Sequence, residues 1–348
     1  MPFRHPFLAR CWFLVRALPA WAWPCLAGLG LAGPARAQLK PQYSQYMLNN
    51  YVLNPAITGI EDYTDLKLSY RQQWAGVDGA PTTLYASVHG KLGQAVNVPV
   101  PQPAGGKAHA FWGGAANRYR KAKPHHALGG LVLHDRAGIF GFTEAQVSYA
   151  YHLLLSREVK LSLGVAAGLL QYSLRGADLQ LANPNDPVAT NQASFRPNLS
   201  LGLWLYGRRF YLGASGGQLL GGAATSAQPV GVPLARHYFV TGAWRVPLGG
   251  DLDLVPSVLA KWTAPQPPAV DLNARLVYAN RLWVGAAYRQ RDSVILLAGL
   301  AVSPLLDLSY SYDLGTNRLG RASLGSHEIL LGLRLGNRYR VYCPQSLW

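Results

Sequence analysis

The sequence predicts an all-β fold, a membrane-spanning barrel of about fourteen antiparallel strands. Three observations carry that expectation. Apolar and polar residues alternate in segment after segment, the two-residue repeat of a strand. After the first forty residues no apolar run reaches the roughly 18 that a helical span needs. The connections between alternating segments also sort into short and long by turns, as they do in a barrel of membrane hairpins.

The chain has 348 residues and opens with Arg4 and Arg10 ahead of an apolar stretch from Trp12 to Leu31. Ala35-Arg36-Ala37 then offers small residues of the kind a signal peptidase reads, so residues 1–37 are expected to be a signal peptide cleaved before Gln38. Arg16, Pro19 and Pro24 interrupt the apolar stretch and argue against an uncleaved anchor. Cys25 follows the bulky pair Trp23-Pro24, where a lipoprotein signal needs small residues. Removing this segment takes four arginines and no acid, so the formal charge falls from +16 to +12. Cys343 becomes the sole cysteine, which rules out a disulfide within one mature chain.

Residues 38–62 form a lead-in before the barrel. Its stretch Tyr43–Ile57 is aromatic and Asn-rich, and fits either a periplasmic arm or a plug inside the barrel. The barrel is expected over residues 63–335 and a C-terminal tail over 336–348. The fourteen alternating segments are Tyr63–Arg71, Thr82–Gly90, His126–His134, Phe142–His152, Glu158–Tyr172, Arg196–Tyr206 and Arg208–Ser215, then Arg236–Val246, Asp251–Lys261, Val270–Tyr278, Arg281–Arg289, Ser293–Ala301, Leu305–Asp313 and Ser326–Leu335. In the first, Thr64, Leu66, Leu68 and Tyr70 face one way and Asp65, Lys67, Ser69 and Arg71 the other. In the thirteenth, Leu306, Leu308, Tyr310 and Tyr312 oppose Asp307, Ser309, Ser311 and Asp313. The polar rows carry many full charges, which predicts a wet lumen rather than one surface of a soluble sandwich. Tyr278 and Tyr312 end apolar rows, where an interfacial girdle puts aromatics.

Every second connection is tight after the fourth strand: Leu153–Arg157, Gly207, Pro247–Gly250, Ala279–Asn280 and Val302–Pro304. One segment breaks that alternation. Residues 91–125 form a long basic insertion on the short-turn side, with Phe111, Trp112 and Tyr119 among Arg118, Arg120, Lys121 and Lys123. Those three aromatics are candidate anchors for a periplasmic partner; a floppy insertion or a missed strand pair would also explain the segment.

Nucleic acid is excluded as a partner, because the basic residues are dispersed through alternating segments and no binding module is present. The nine histidines are scattered, and the one close pair, His125-His126, reads as loop polarity without the spacing of a zinc site. No cofactor and no metal is expected. Asp135 and Asp313 at strand ends read as turn caps. Ser326-His327-Glu328 holds the residue types of a lipid hydrolase, yet neighbours on a strand point to opposite faces and cannot be partners there.

The stretch Gln42–Leu92, with its aromatic lead-in, its alternating pair and the turn Gly76-Val77-Asp78-Gly79-Ala80-Pro81, resembles the start of the PorP/SprF family, tied to type IX secretion and gliding in Bacteroidota. The likeness continues in order through His134–Gly138, Leu234–Phe239, Val270–Arg275, Arg281–Arg289, Leu308–Asp313, Gly325–Ile329 and the terminal Cys343-Pro344. The 91–125 insertion is longer than the family pattern. The resemblance implies an outer-membrane barrel, without enzymatic activity, that helps export surface proteins such as adhesins. It implies outer-membrane lipid, envelope proteins of the secretion machinery and secreted adhesin cargo as partners. Tyr43, Tyr46, Asn54, Arg71, Trp74 and Asp78 are the candidate partner contacts, since aromatics and Arg dominate binding energy. An outer-membrane channel or hydrophobic-ligand transporter is the alternative function.

Overall fold

The computed structural model describes residues 42–93, 124–156, 158–178, 190–220, 235–263 and 267–337. The expected signal peptide, the anchors Phe111, Trp112 and Tyr119, and Cys343 lie outside the described residues. The strands are β1 (Thr64–Gln72), β2 (Thr82–Lys91), β3 (His125–Ala137), β4 (Phe140–Leu154), β5 (Lys160–Arg175), β6 (Asn191–Tyr206), β7 (Phe210–Gly217) and β8 (His237–Trp244). They continue with β9 (Val246–Gly249), β10 (Leu252–Thr263), β11 (Ala269–Tyr278), β12 (Leu282–Arg289), β13 (Ser293–Ala301), β14 (Leu306–Gly315) and β15 (Ser326–Leu335). All pairings are antiparallel between neighbours, and β15 pairs back onto β1 from Thr64↔Leu335 to Gln72↔His327. The ring is therefore closed, which removes the unpaired edge that hydrocarbon cannot solvate.

Both β8 and β9 lie against β10, so the fifteen strands make fourteen staves. The sequence reads Arg236–Val246 as one strand and Pro247–Gly250 as its turn; the structure instead interrupts the stave at Arg245. The cause is on β10. Pro256 lies between the pairs Ser257↔Ala243 and Leu254↔Val246 and has no N–H to give across the gap. The Arg245 amide donates sideways to the Arg209 carbonyl, at 2.6 Å.

Side chains sort by parity as the alternation requires. Val147 is 66 % exposed on the outer wall and its neighbour Ser148 is 1 % exposed inside. Leu308, Tyr310 and Leu68 face outward while Ser309, Ser311 and Ser69 are buried. At the end holding Thr64 and Leu335, the connections 155–159, 207–209, 250–251, 279–281 and 302–305 are short and that between β2 and β3 is the exception, which marks it as the periplasmic end. The longer connections, from β1 to β2, β5 to β6, β7 to β8 and β14 to β15, join strand ends at the other end, and residues 316–325 carry a one-turn helix α1 (Arg318–Ala322). Backbone bonds from Ala75 N to Gly325 O (2.8 Å) and from Leu324 N to Ala75 O (2.9 Å) tie two of these loops together above the β15–β1 seam.

Candidate functional site: the filled lumen

The lead-in occupies the inside of the barrel. From Gln42 to Asp62 it folds as three single-turn 3-10 helices, Tyr46–Leu48, Asn50–Val52 and Pro55–Ile57. Local chemistry sets the last of these. Asn54 is extended and its Oδ1 accepts from Ala56 N at 2.9 Å, while Pro55 takes the first helical position with its φ already fixed. Gly59, at φ 65°, turns the chain toward β1; a Cβ there would lie 2.2 Å from that of Ala127. Tyr43, Tyr46, Met47, Tyr51, Val52 and Ile57 are buried together with wall residues Leu131, Leu133, Leu170 and Trp204. Removing that apolar surface from water holds the segment in place.

Against β3–β7 the plug is fitted mainly by shape. Gly164 and Gly202 are cross-strand partners on β5 and β6. A Cβ on Gly164 would sit 2.3 Å from Ala56 N, and one on Gly202 would sit 2.0 Å from Asn54 Oδ1. Gly129 on β3 likewise clears the Tyr51 hydroxyl, which a Cβ would approach to 2.8 Å. Polar contacts then fix the seat. Asn54 Nδ2 donates to the Leu203 and Ala214 carbonyls, both at 3.1 Å, and Ser215 Oγ donates to Leu53 O at 2.7 Å. Ser148 Oγ lies 2.7 Å from Tyr51 Oη and 2.8 Å from Thr58 Oγ1. Burial pushes the phenol of Tyr51, a lead-in residue outside the strands, up to about 12 despite both hydroxyl partners, so it stays neutral. His152 sits between Tyr206 Oη and Thr58 O, each at 2.8 Å, and stacks on His125 with ring centres 4.3 Å apart.

Against β10–β15 and β1 the plug meets charge. Arg71 reaches Asp313 (2.8 Å) and Glu328 (3.3 Å), and also bonds the Ser44 hydroxyl. Ser44 donates from Oγ to Asp313 at 2.5 Å and from its amide to Glu328 at 2.8 Å. Arg289 pairs with Asp271 (3.3 Å) and donates to Tyr43 O (2.9 Å) and Gln42 Oε1 (3.1 Å). Lys261 also holds Asp271, at 2.8 Å, and Asn273 donates to the Tyr46 hydroxyl at 3.0 Å. Lower down, Lys67 pairs with Asp65 at 2.9 Å and donates to Leu48 O. These charges were expected to line a wet lumen. Asp65, Lys67 and Arg71 are instead buried and paired beneath the plug, because the chain's own segment takes the room water would have filled.

The sequence candidates divide accordingly. Tyr43, Tyr46, Asn54 and Arg71 meet inside the barrel, where their contacts hold plug to wall. Trp74 is half-buried in the β1–β2 loop at φ 47°, its amide donating to Ser326 Oγ at 3.1 Å. Asp78 is exposed in the same loop. Asp313 and Asp135, read as turn caps, lie within strands; Asp313 takes Arg71 and Asp135 accepts from Thr83 Oγ1 at 2.6 Å. His125, read as a loop residue, and His126, read as loop polarity although it opens the third alternating segment, both lie in β3, and His126 faces Tyr149 and Tyr151. His327 points outward to Tyr310 Oη (2.7 Å) while Ser326 and Glu328 are buried inside, so the two faces separate them. The partners missed in the sequence are Glu328, Asp271, Arg289 and Lys261. Their signal was opposite charge on the inward rows of neighbouring strands, as in Asp271↔Arg289. No group of three or more His, Cys, Asp or Glu able to hold a metal is found among the described residues.

The family described as "Type IX secretion system membrane protein PorP/SprF" matches residues 35–333. No curated protein matches. Among solved structures, the Acinetobacter baumannii outer membrane protein Omp33 is similar at TM-score 0.44 and 10 % identity, covering 80 % of this chain and 100 % of that one. A Pseudomonas aeruginosa FadL homologue is similar at TM-score 0.42 and 11 % identity, covering 85 % and 94 %. Likenesses this loose add nothing to the strand order already described.

Proposed function

The chain belongs to the type IX secretion system membrane protein family PorP/SprF, and from that premise we propose that it is a non-enzymatic docking component of the export machinery in the outer membrane. Its extracellular loops receive exported surface proteins such as adhesins, and its periplasmic side meets envelope proteins of the same machinery. The observation that carries this reading is the filled lumen. Residues from Tyr43 to Ile60, all but the half-buried Leu48 and Leu53, are buried against both walls, so the barrel offers surfaces to bind cargo more readily than a bore to pass it. A diffusion channel or hydrophobic-ligand transporter needs that segment to leave first. The test is removal of the gene from the producing cell, with the surface proteome measured before and after complementation. Specific surface proteins should disappear and return with the wild-type chain. A surface proteome that does not change contradicts the proposal.

A further inference from the structure

We propose that the charged half of the lumen wall is a peptide-binding site, held here by the chain's own Gln42–Leu48 and open to a segment of an exported polypeptide that displaces it. The exported source rests on the function proposed above; the site itself does not.

Three features of the wall point this way. The wall grips the segment largely through groups any peptide has. Arg289 donates to the Tyr43 carbonyl, Glu328 accepts from the Ser44 amide, and Lys67 donates to the Leu48 carbonyl. The side chains it reads are neutral: Gln45 Nε2 donates to Glu328 O at 2.8 Å, and Ser309 donates to Gln45 Oε1 at 2.6 Å. The wall also balances itself. Arg71 pairs with Asp313 and Glu328, and Asp271 with both Arg289 and Lys261, so none of these charges depends on the plug for its counter-charge. Finally, the present occupant leaves capacity unused. Asp313 Oδ1, Asp271 Oδ1 and Ser311 Oγ have no hydrogen-bond partner among the described residues, on residues that are 3 %, 1 % and 0 % exposed. Buried acceptors without donors disfavour the occupied state. A segment that brings an amide or cationic side chain to them binds better than the plug does. The ligand is therefore a peptide carrying a donor-bearing side chain.

The experiment uses the full chain with Gln42–Leu48 replaced by Gly and Ser, folded in detergent and checked by heat-modifiable mobility. The probe is a fluorescent peptide of the sequence Gln42–Leu48, and a second peptide carries Lys in place of Ser44. Both should bind the replaced chain, the Lys peptide more tightly. Glu328→Gln in that chain should weaken binding about tenfold or more, the equivalent of one charged hydrogen bond. The unreplaced chain should bind at least about tenfold more weakly, because its own segment competes. A folded, replaced chain that binds neither peptide overturns the site. If the replaced chain does not fold, Ser44→Cys in the full chain with Cys343→Ser gives the same reading: added Lys peptide should speed maleimide labelling, and an unchanged rate overturns the proposal. Peptide binding together with an unchanged surface proteome would overturn the exported source and leave the site standing.

Discussion

The two halves of the lumen hold one segment by different physics. The wall from β10 through β15 to β1 holds Gln42–Leu48 with charges already paired to one another, through hydrogen bonds that are directional but replaceable. The wall from β3 to β7 holds Asn50–Gly59 by missing side chains: a Cβ at Gly164 would run into the plug backbone at Ala56, and one at Gly129 or Gly202 into the Tyr51 hydroxyl or Asn54 Oδ1. Charge fixes which groups meet and tolerates an equivalent partner. Steric fit tolerates none.

The largest expected effect tests the charged half. Arg71→Met leaves the Asp313 and Glu328 carboxylates buried without their shared guanidinium and should cost about 3–5 kcal/mol, read from urea unfolding of the detergent-folded barrel. Adding Glu328→Gln should recover part of that loss; a double variant no more stable than the single one would refute the pairing. Next comes the glycine half. Gly164→Val overpacks Ala56 and should cost roughly 1–3 kcal/mol. Gly130→Val, on the outer wall with nothing nearer than 3.8 Å to the new Cβ, should be close to neutral. Equal losses at the two positions would mean that Gly164 serves the strand and not the plug. Asn54→Ala removes a helix cap and two bonds to the wall, and should cost about 1–2 kcal/mol in the same assay. It should also make Gly202→Ala less harmful than in the wild type, since the atom in the way is Asn54 Oδ1. Ser44→Ala should cost least, about 1 kcal/mol, because Arg71 keeps both carboxylates without it. A loss as large as that of Arg71→Met would show that the wall needs the plug to hold its charges together.

Much of the barrel wall was legible in the sequence, because a two-residue period decides both that a strand forms and which face meets lipid. Leu306–Gly315 shows this at its simplest, with Leu308 and Tyr310 out and Ser309 and Ser311 in. The break at Arg245 was not read, although its cause, Pro256 in the facing strand, was plain in the chain. What lay inside was harder. A row such as Asp65, Lys67, Ser69 and Arg71 says that its face is polar, not whether water or protein covers it. That depends on how much chain is free to enter the bore, which alternation does not encode. The lead-in gave composition that fits an arm as well as a plug. The stronger clue was glycine on inward positions of β3, β5 and β6, and it becomes meaningful only once the register places Gly164 beside Gly202. Tyr43, Tyr46, Asn54 and Arg71 were singled out as residues that bind; their contacts in the structure are within the chain.

Planar-bilayer conductance of the purified, intact chain tests the filled lumen most directly. A barrel closed by Gln42–Asp62 predicts insertion without sustained single-channel current at moderate voltage. Stable ohmic openings from the intact chain would contradict it.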